Sequence, residues 1–220
     1  MTPKIYRYVV KKDAGSAPNP CDEYCTLAIC KPGIRRTASE GDWIIGFKKG
    51  TSNQVIYVMQ VEEKLTFAEY WNDNDRFKLR KPEFSPLSDN IYQPDGIDEL
   101  RQVPNQVHDH NSDKRDSSGT NVLISKRFWY FGKNAPEFEL KLKHLIHKGR
   151  GHSVNINRQE PDVEMLIDWL KQQGKKGVHG KPVNLPEGIN FSIKNRVASV
   201  IAPHYQSNNQ SSRSKNCDIC

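Results

Sequence analysis

Short apolar runs, set apart by clusters of Pro, Gly, Asn and Asp, dominate the first two-thirds of this chain. They are "IYRYVV" (5–10), "CTLAIC" (25–30), "WIIGF" (43–47), "VIYVMQV" (55–61), "NVLIS" (121–125) and "FWYFG" (128–132). Their β-branched and aromatic content is that of strands rather than helices. Short strands with turns between them predict a curled sheet or a small β-barrel. The polar stretch "KKGTSNQ" (48–54) reads as the hairpin loop joining two of them.

Elsewhere the period changes. Thr66-Phe67-Ala68-Glu69 spells a capping box, in which the Thr hydroxyl accepts from the Glu amide while the Glu carboxylate reaches back. That predicts a short helix ending near Asn72. Val163, Leu166, Ile167 and Leu170 follow i, i+3, i+4, i+7 spacing, with Asp162 or Glu164 suited to the N-terminal dipole and Gly174 to the stop. From Lys81 to about Gly119 the chain is long and polar, which inside a compact domain marks a functional or a mobile loop. "FSIKNRVASVIAP" (191–203) reads equally as a last strand or a short helix. The expectation is one α+β domain over residues 1–204, its part from 156 a helical addition, and a disordered tail over 205–220.

The 220 residues are enough to bury a real core. No apolar run approaches the roughly 18 residues needed to span a bilayer. The opening "MTPKIYRYVVKKD" lacks the apolar centre of a secretory leader. The chain therefore reads as soluble and cytoplasmic, with no membrane partner. Lys and Arg number 33 against 26 Asp and Glu, and this net charge of +7 favours polyanionic partners through counterion release without proving one. The cysteines (Cys21, Cys25, Cys30, Cys217 and Cys220) are odd in number, which argues against a secreted disulfide framework. "CTLAIC" reads as a strand whose cysteines are small buried hydrophobes, and Cys217-x-x-Cys220 as part of a polar, disordered end.

Two basic stretches carry candidate chemistry. Arg35-Arg36 follows a Pro-Gly turn, and paired guanidinium groups grip phosphate bidentately, although a solvated surface pair fits as well. In Lys148-Gly149-Arg150-Gly151-His152 the glycines let the backbone approach an anion among three basic side chains. It lacks the spacing and the Ser/Thr of a Walker loop. His108, His110, Asp113 and Asp116 in "HDHNSDKRD" are of metal-ligating type, but a charged loop is more simply solvated, and no metal or cofactor is assigned. Neither a nucleophile elbow, an HExxH run nor a deaminase signature is present, so no catalytic residue is assigned.

The strings "APNP" (17–20), "YCTLAICKPGIRRTASEGDWIIG" (24–46), "FAEYWND" (67–73), "DNIY" (89–92), "NVLIS" (121–125), "YFGKNAP" (130–136) and "KGRGH" (148–152) come in a specific order. In them the chain resembles the second of the nucleotide modification-associated domain families, over roughly residues 4–155. That family is found with DNA base-hypermodification and phage-conflict systems. More distantly the chain is similar to PUA-like folds, the ASCH and EVE domains among them, in its Gly41-Asp42 turn, its Val55-to-Val61 strand and its aromatic helix from Phe67 to Trp71. Such barrels hold a modified or extruded base in a cleft.

The resemblance implies a base pocket, which needs a stacking plate and a few groups for the base edge. Trp43, Tyr70, Trp71 and Tyr92 would stack, Asn19, Asp42 and Asn90 would read the edge, and Arg35, Arg36, Lys148, Arg150 and His152 would meet phosphate. Trp43 reads as well as a core residue, and Asn19 as the head of an Asx-turn. Some ASCH relatives act through a Lys, a Thr and an acidic residue; Lys31, Thr37 and Asp42 could be assembled that way, but no motif matches. The functional expectation is a protein that binds a nucleic acid or nucleotide carrying a modified base, alongside DNA-modification or defence proteins. An enzyme processing the base in the same cleft and a non-catalytic adaptor are the rival readings.

Overall fold

Trp43 to Phe47 and Val55 to Met59 are apolar at nearly every position, so strands formed from them need cover on both faces. A computed structural model, which describes residues 3–51, 53–96, 99–108, 113–155 and 160–201, supplies it. In chain order the strands are β1 (Ile5–Val10), β2 (Asn19–Cys21), β3 (Tyr24–Leu27), β4 (Trp43–Lys48), β5 (Val55–Gln60), β6 (Glu63–Thr66), β7 (Tyr92–Pro94) and β8 (Leu100–Gln102). They continue with β9 (Asn121–Ser125), β10 (Phe128–Tyr130), β11 (His152–Val154), β12 (Gly177–Val178), β13 (Ile189–Ser192) and β14 (Val197–Val200). The α-helices are α1 (Pro32–Thr37), α2 (Phe67–Asn72), α3 (Asn74–Phe77), α4 (Asp113–Ser117) and α5 (Glu160–Gln172).

The central six-stranded sheet has the order β11-β1-β4-β5-β10-β12, with β1 and β4 parallel at its middle. A four-stranded sheet, β2-β3-β9-β6, lies over one face. Tyr6, Tyr8, Ile44, Tyr57 and Met59 point into the layer between them and meet Cys25, Leu27 and Leu123, with Ile34 of α1. Alternation sends Trp43, Ile45, Phe47 and Val58 to the opposite face, onto Leu166, Trp169 and Leu170 of α5. Each of those helix side chains is buried and stabilises the fold by about 1.5–3 kcal/mol. The outer face of the smaller sheet, at Val122 and Ile124, is covered by Phe67 and Tyr70 of α2. The architecture is mixed α+β, as the sequence implies; among the described residues the sheets stay open and form no closed barrel.

Local signals are realised closely. Glu69 N–H donates to Thr66 Oγ1 (3.2 Å) and Thr66 N–H to Glu69 Oε2 (2.8 Å), completing the capping box of α2. The described part of 191–203 resolves its ambiguity in the antiparallel hairpin β13–β14, and residues 202 and 203 lie outside the described residues. Two expectations are corrected. The run from Cys25 to Cys30 leaves the strand after Leu27, because Cys30 and Lys31 turn into left-handed backbone, φ 59° and 46°, ahead of α1. The functional or mobile loop expected after Lys81 is packed into the interior over part of its length: Leu87, Ser88, Asp89, Asn90 and Ile91 are buried, and the hairpin β7–β8 follows. Asp89 and Asn90 were misleading because their polar groups satisfy interior partners. His110 and the Cys217–Cys220 tail lie outside the described residues. Among the described residues no helix is long and apolar enough to cross a membrane.

Candidate functional site

The parallel pair β1–β4 sets the site. Register places Val10 opposite Lys48, so the chain leaves both strands at one edge and brings Lys11 and Lys49 side by side. On the other flank β11 runs antiparallel, with His152 opposite Tyr8, so the Lys148–Gly151 loop lies beside Val9 and Lys11. Crevices at the carboxyl ends of parallel strands are where open sheets bind ligands. The crevice here is a cleft of about 660 Å³ lined by Lys11, Lys31, Lys49, Lys148 and Arg150 with Val9, Gly149 and Gly151. None of its lining residues among those described is acidic.

Lys31 enters this cleft from the N-cap of α1, where it adopts a left-handed conformation with no side-chain cap. Two successive non-glycine residues in that region store strain, which persists only where the surroundings enforce it. Asp116 Oδ1 accepts from Cys30 N–H (3.0 Å), and the Lys31 carbonyl accepts from Ile34 and Arg35 N–H, pinning the turn. The Lys31 ammonium sits 4.6 Å from the centroid of Tyr8. Burial, then the nearby Lys11 and Arg115, pull its pKa down to about 8. His152 packs against the same turn: a Cβ on Gly33 would come within 2.8 Å of its Cε1, so glycine permits the approach. Burial and then Lys31 and His147 lower the pKa of His152, leaving a neutral imidazole at pH 7.

A second compartment of about 300 Å³ adjoins the first and shares Lys11 and Lys49 with it. Its other walls are Val10, Asp13, Lys48, Ile56, Val183 and Asn184. Asp13 is buried; its Oδ1 accepts from Tyr130 OH (2.6 Å) and its Oδ2 from Val183 N–H (3.0 Å). Burial nevertheless pushes its pKa up to about 6. Asp89, at the centre of a second buried network, is likewise raised to about 6, by burial outweighing Arg80 and its hydrogen-bond donors.

Both carboxyls bind a proton more readily folded than unfolded, so their contribution to stability falls as pH rises from about 4 to about 6. The expected cost is ~3 kcal/mol per group, fully present above pH 6. Urea midpoints across that window should decline for the unaltered protein and decline less for Asp13→Asn. A flat profile would show that neither group is perturbed.

The residues expected to hold a base mostly stand elsewhere. Trp43 is wholly buried against α5, under the Arg127 guanidinium 5.1 Å from its ring, because the strand's alternation points it into the apolar layer. Tyr70 donates from its hydroxyl to Asp89 Oδ1 (2.9 Å), and Asn19 donates from Nδ2 to the same oxygen (3.0 Å). Asn90 Nδ2 donates to the Tyr70 carbonyl (2.9 Å) and Tyr92 OH to Asp116 Oδ2 (3.0 Å). Asp42 accepts from Lys4 N–H (2.7 Å) and Ser39 N–H (2.9 Å). All five are buried, so the edge-reading and stacking roles pass to interior polar networks. Trp71 is half-buried on α2, with the Lys81 ammonium 4.3 Å from its ring, and does not border the cleft.

The basic residues divide. Lys148 and Arg150 line the cleft, and His152 flanks it against the α1 turn. Arg35 is fully buried and Arg36 is exposed, donating to the Ser118 carbonyl (3.1 Å). The Arg35-Arg36 doublet therefore offers no paired grip. His108 Nε2 and Asp116 Oδ2 pair in the interior at 2.7 Å rather than in a solvated loop. Thr37 donates to the Gly33 carbonyl (2.7 Å) and Asp42 is held as above, so Lys31, Thr37 and Asp42 each have separate engagements. Lys11, Lys49 and Asp13 escaped the sequence reading; their signal was their position at the ends of β1 and β4.

The structure is thus an open-sheet α+β domain with a cationic crevice at the ends of its parallel strands. The chain belongs to the family described as nucleotide modification associated domain 2, whose sequence profile matches residues 2–188. The family's description points to a role in nucleotide modification. No curated protein and no solved structure matches the chain.

Proposed function

We propose that the protein binds nucleotides bearing a modified base, in DNA base hypermodification or in defence against phage DNA so modified. The observation that carries this reading is the cleft: five cationic side chains, and no acidic one among its described lining residues, at the carboxyl ends of β1 and β4. Like charges gathered in one concave space repel one another, a cost that an incoming phosphate offsets. Charge-assisted hydrogen bonds from such groups contribute about 1.5–3 kcal/mol each.

Fluorescence polarisation with a labelled nucleotide tests the reading. Lys148→Ala/Arg150→Ala should weaken binding by roughly 100-fold or more, and since both residues are exposed their loss leaves the core intact. Binding should also fall with salt, and a base-modified nucleotide should compete better than its plain counterpart. Equal affinity for the double variant and the unaltered protein would remove the cleft from the account.

An enzyme acting in the same cleft is the second reading, favoured by one observation. Lys31 and His152 lie on either side of the Gly33 turn with pKa values lowered toward or below neutrality, the condition for carrying protons at pH 7. Mass spectrometry of modified nucleotides after incubation decides between the two: a changed mass, lost in Lys31→Ala, supports turnover, and unchanged masses support binding alone.

A further inference from the structure

We propose that the ligand of this cleft is a free nucleoside polyphosphate, with its phosphate chain among Lys11, Lys31, Lys49, Lys148 and Arg150 and its nucleoside end in the adjoining compartment beside Asp13 and Asn184. This inference rests on the nucleotide-binding reading above and narrows it to a substrate class.

Three observations favour a mononucleotide over a base within DNA. The first is charge density. A nucleoside triphosphate concentrates roughly four negative charges on adjacent groups, whereas backbone phosphates are spread along a strand, about one charge per 3.4 Å of each. Five cations converging on one concave space of about 660 Å³ match the concentrated form. A DNA track would instead be an extended basic groove.

The second observation is the missing plate. Proteins that hold an extruded base sandwich it on aromatic or apolar faces at the mouth of the pocket. Trp43, Tyr70 and Tyr92 are sealed in the interior, and Trp71 belongs to α2, which covers the far side of the smaller sheet. Tyr8 is buried and already has the Lys31 ammonium above its ring. Among the described residues no aromatic side chain lines either compartment.

Continuity is the third. The two compartments share Lys11 and Lys49, so one elongated ligand can occupy both. The smaller one, about 300 Å³, has Val10, Ile56 and Val183 as apolar walls and the carboxyl of Asp13 and amide of Asn184 as polar ones. That mixture, at that size, is what a small-molecule pocket offers a flat polar group. An ionised carboxylate has about four acceptor sites. Asp13 uses one on Tyr130 OH, one on Val183 N–H and one on Gly15 N–H, which leaves one for a ligand, and its backbone N–H is held by Asn184 Oδ1 (3.0 Å).

Titration calorimetry on the full chain at fixed ionic strength tests the proposal without any substitution. The probes are deoxynucleoside mono-, di- and triphosphates, inorganic triphosphate, and short single- and double-stranded DNA. Affinity should rise with each added phosphate, by at least 30-fold from mono- to triphosphate. The nucleoside triphosphate should exceed inorganic triphosphate by 10-fold or more and exceed both DNAs at equal phosphate concentration. In Lys49→Ala, an exposed residue, the gain per phosphate should shrink while the circular dichroism stays unchanged.

Binding at pH 8 should also draw a proton from the buffer, because an anion restores the charge on Lys31 against Lys11, Lys49, Lys148, Arg150, Arg115, His147 and His152. That uptake should vanish in Lys31→Arg. DNA binding as tightly as the triphosphate, or affinity independent of phosphate number, overturns the mononucleotide proposal while leaving the nucleotide reading intact. Equal affinity for inorganic and nucleoside triphosphate overturns the nucleoside compartment. Failure of every phosphate probe, DNA included, sinks the nucleotide reading itself.

Discussion

Arg35→Ala is expected to destabilise the fold by about 3–5 kcal/mol, a loss visible as a large drop in the urea midpoint. The guanidinium is fully buried, with Nε donating to the Cys30 carbonyl (2.8 Å), Nη1 to the Asn121 carbonyl (2.8 Å) and Nη2 to the Asp116 carbonyl (2.5 Å). This one side chain joins the turn before α1 to the stretch from Asp116 to Asn121, 81 to 86 residues further on. Truncation leaves those carbonyls buried without donors, and each such group costs about 1–3 kcal/mol. Lysine offers no planar fork and should rescue little. Arg36→Ala, on the exposed neighbour, should change stability by no more than about 0.5 kcal/mol. Because Arg35 also holds the turn that aims Lys31, the Arg35 variant should lose ligand affinity at temperatures where it is still folded. Parity of the two alanine variants would refute this account.

Gly132→Ala is the second large effect. The residue has φ 53°, and a Cβ there would lie 2.1 Å from the Lys181 carbonyl oxygen, a backbone atom with no room to yield. That carbonyl already accepts from Lys133 N–H (2.8 Å), and His179 N–H donates to the Tyr130 carbonyl (2.8 Å), knitting the segment after β12 to the end of β10. Left-handed backbone costs a residue with a Cβ about 1–2 kcal/mol, and overpacking adds about 1–3 kcal/mol. The expected loss is therefore about 2–5 kcal/mol. The displaced segment carries Val183 and Asn184, which wall the smaller compartment and meet Asp13. A folded Gly132→Ala protein should thus lose discrimination between nucleoside and inorganic triphosphate before it loses phosphate affinity. Gly50→Ala is the control: φ is 79° there, but no atom lies within 4 Å, so only the backbone term applies.

Much of the local structure was legible because its causes are local. The Thr66–Glu69 capping box needs only two residues and an amide, and the apolar stripe of α5 needs only helical spacing. The basic loop from Lys148 to Gly151 stood out for the same reason, since its charges and glycines are neighbours in sequence, and it lines the cleft. Trp43 was not. Alternation says that a residue faces one side of a strand, but which side is core depends on what packs there, and here both sides are covered.

Sequence by itself determined the strands, the caps, the helix stripe, the excess of positive charge and the family resemblance, because each is written in neighbouring residues or in total composition. Tertiary structure alone decided which charges meet. Parallel pairing of β1 with β4 brought Lys11 beside Lys49, and antiparallel pairing with β11 added the loop at Lys148. It also turned Arg35, Asp89 and Asp116 inward, where burial is tolerated only through partners many residues away. Charge is a property of a residue, whereas a site is a property of distance, and distances across a sheet are set by register between strands far apart in the chain.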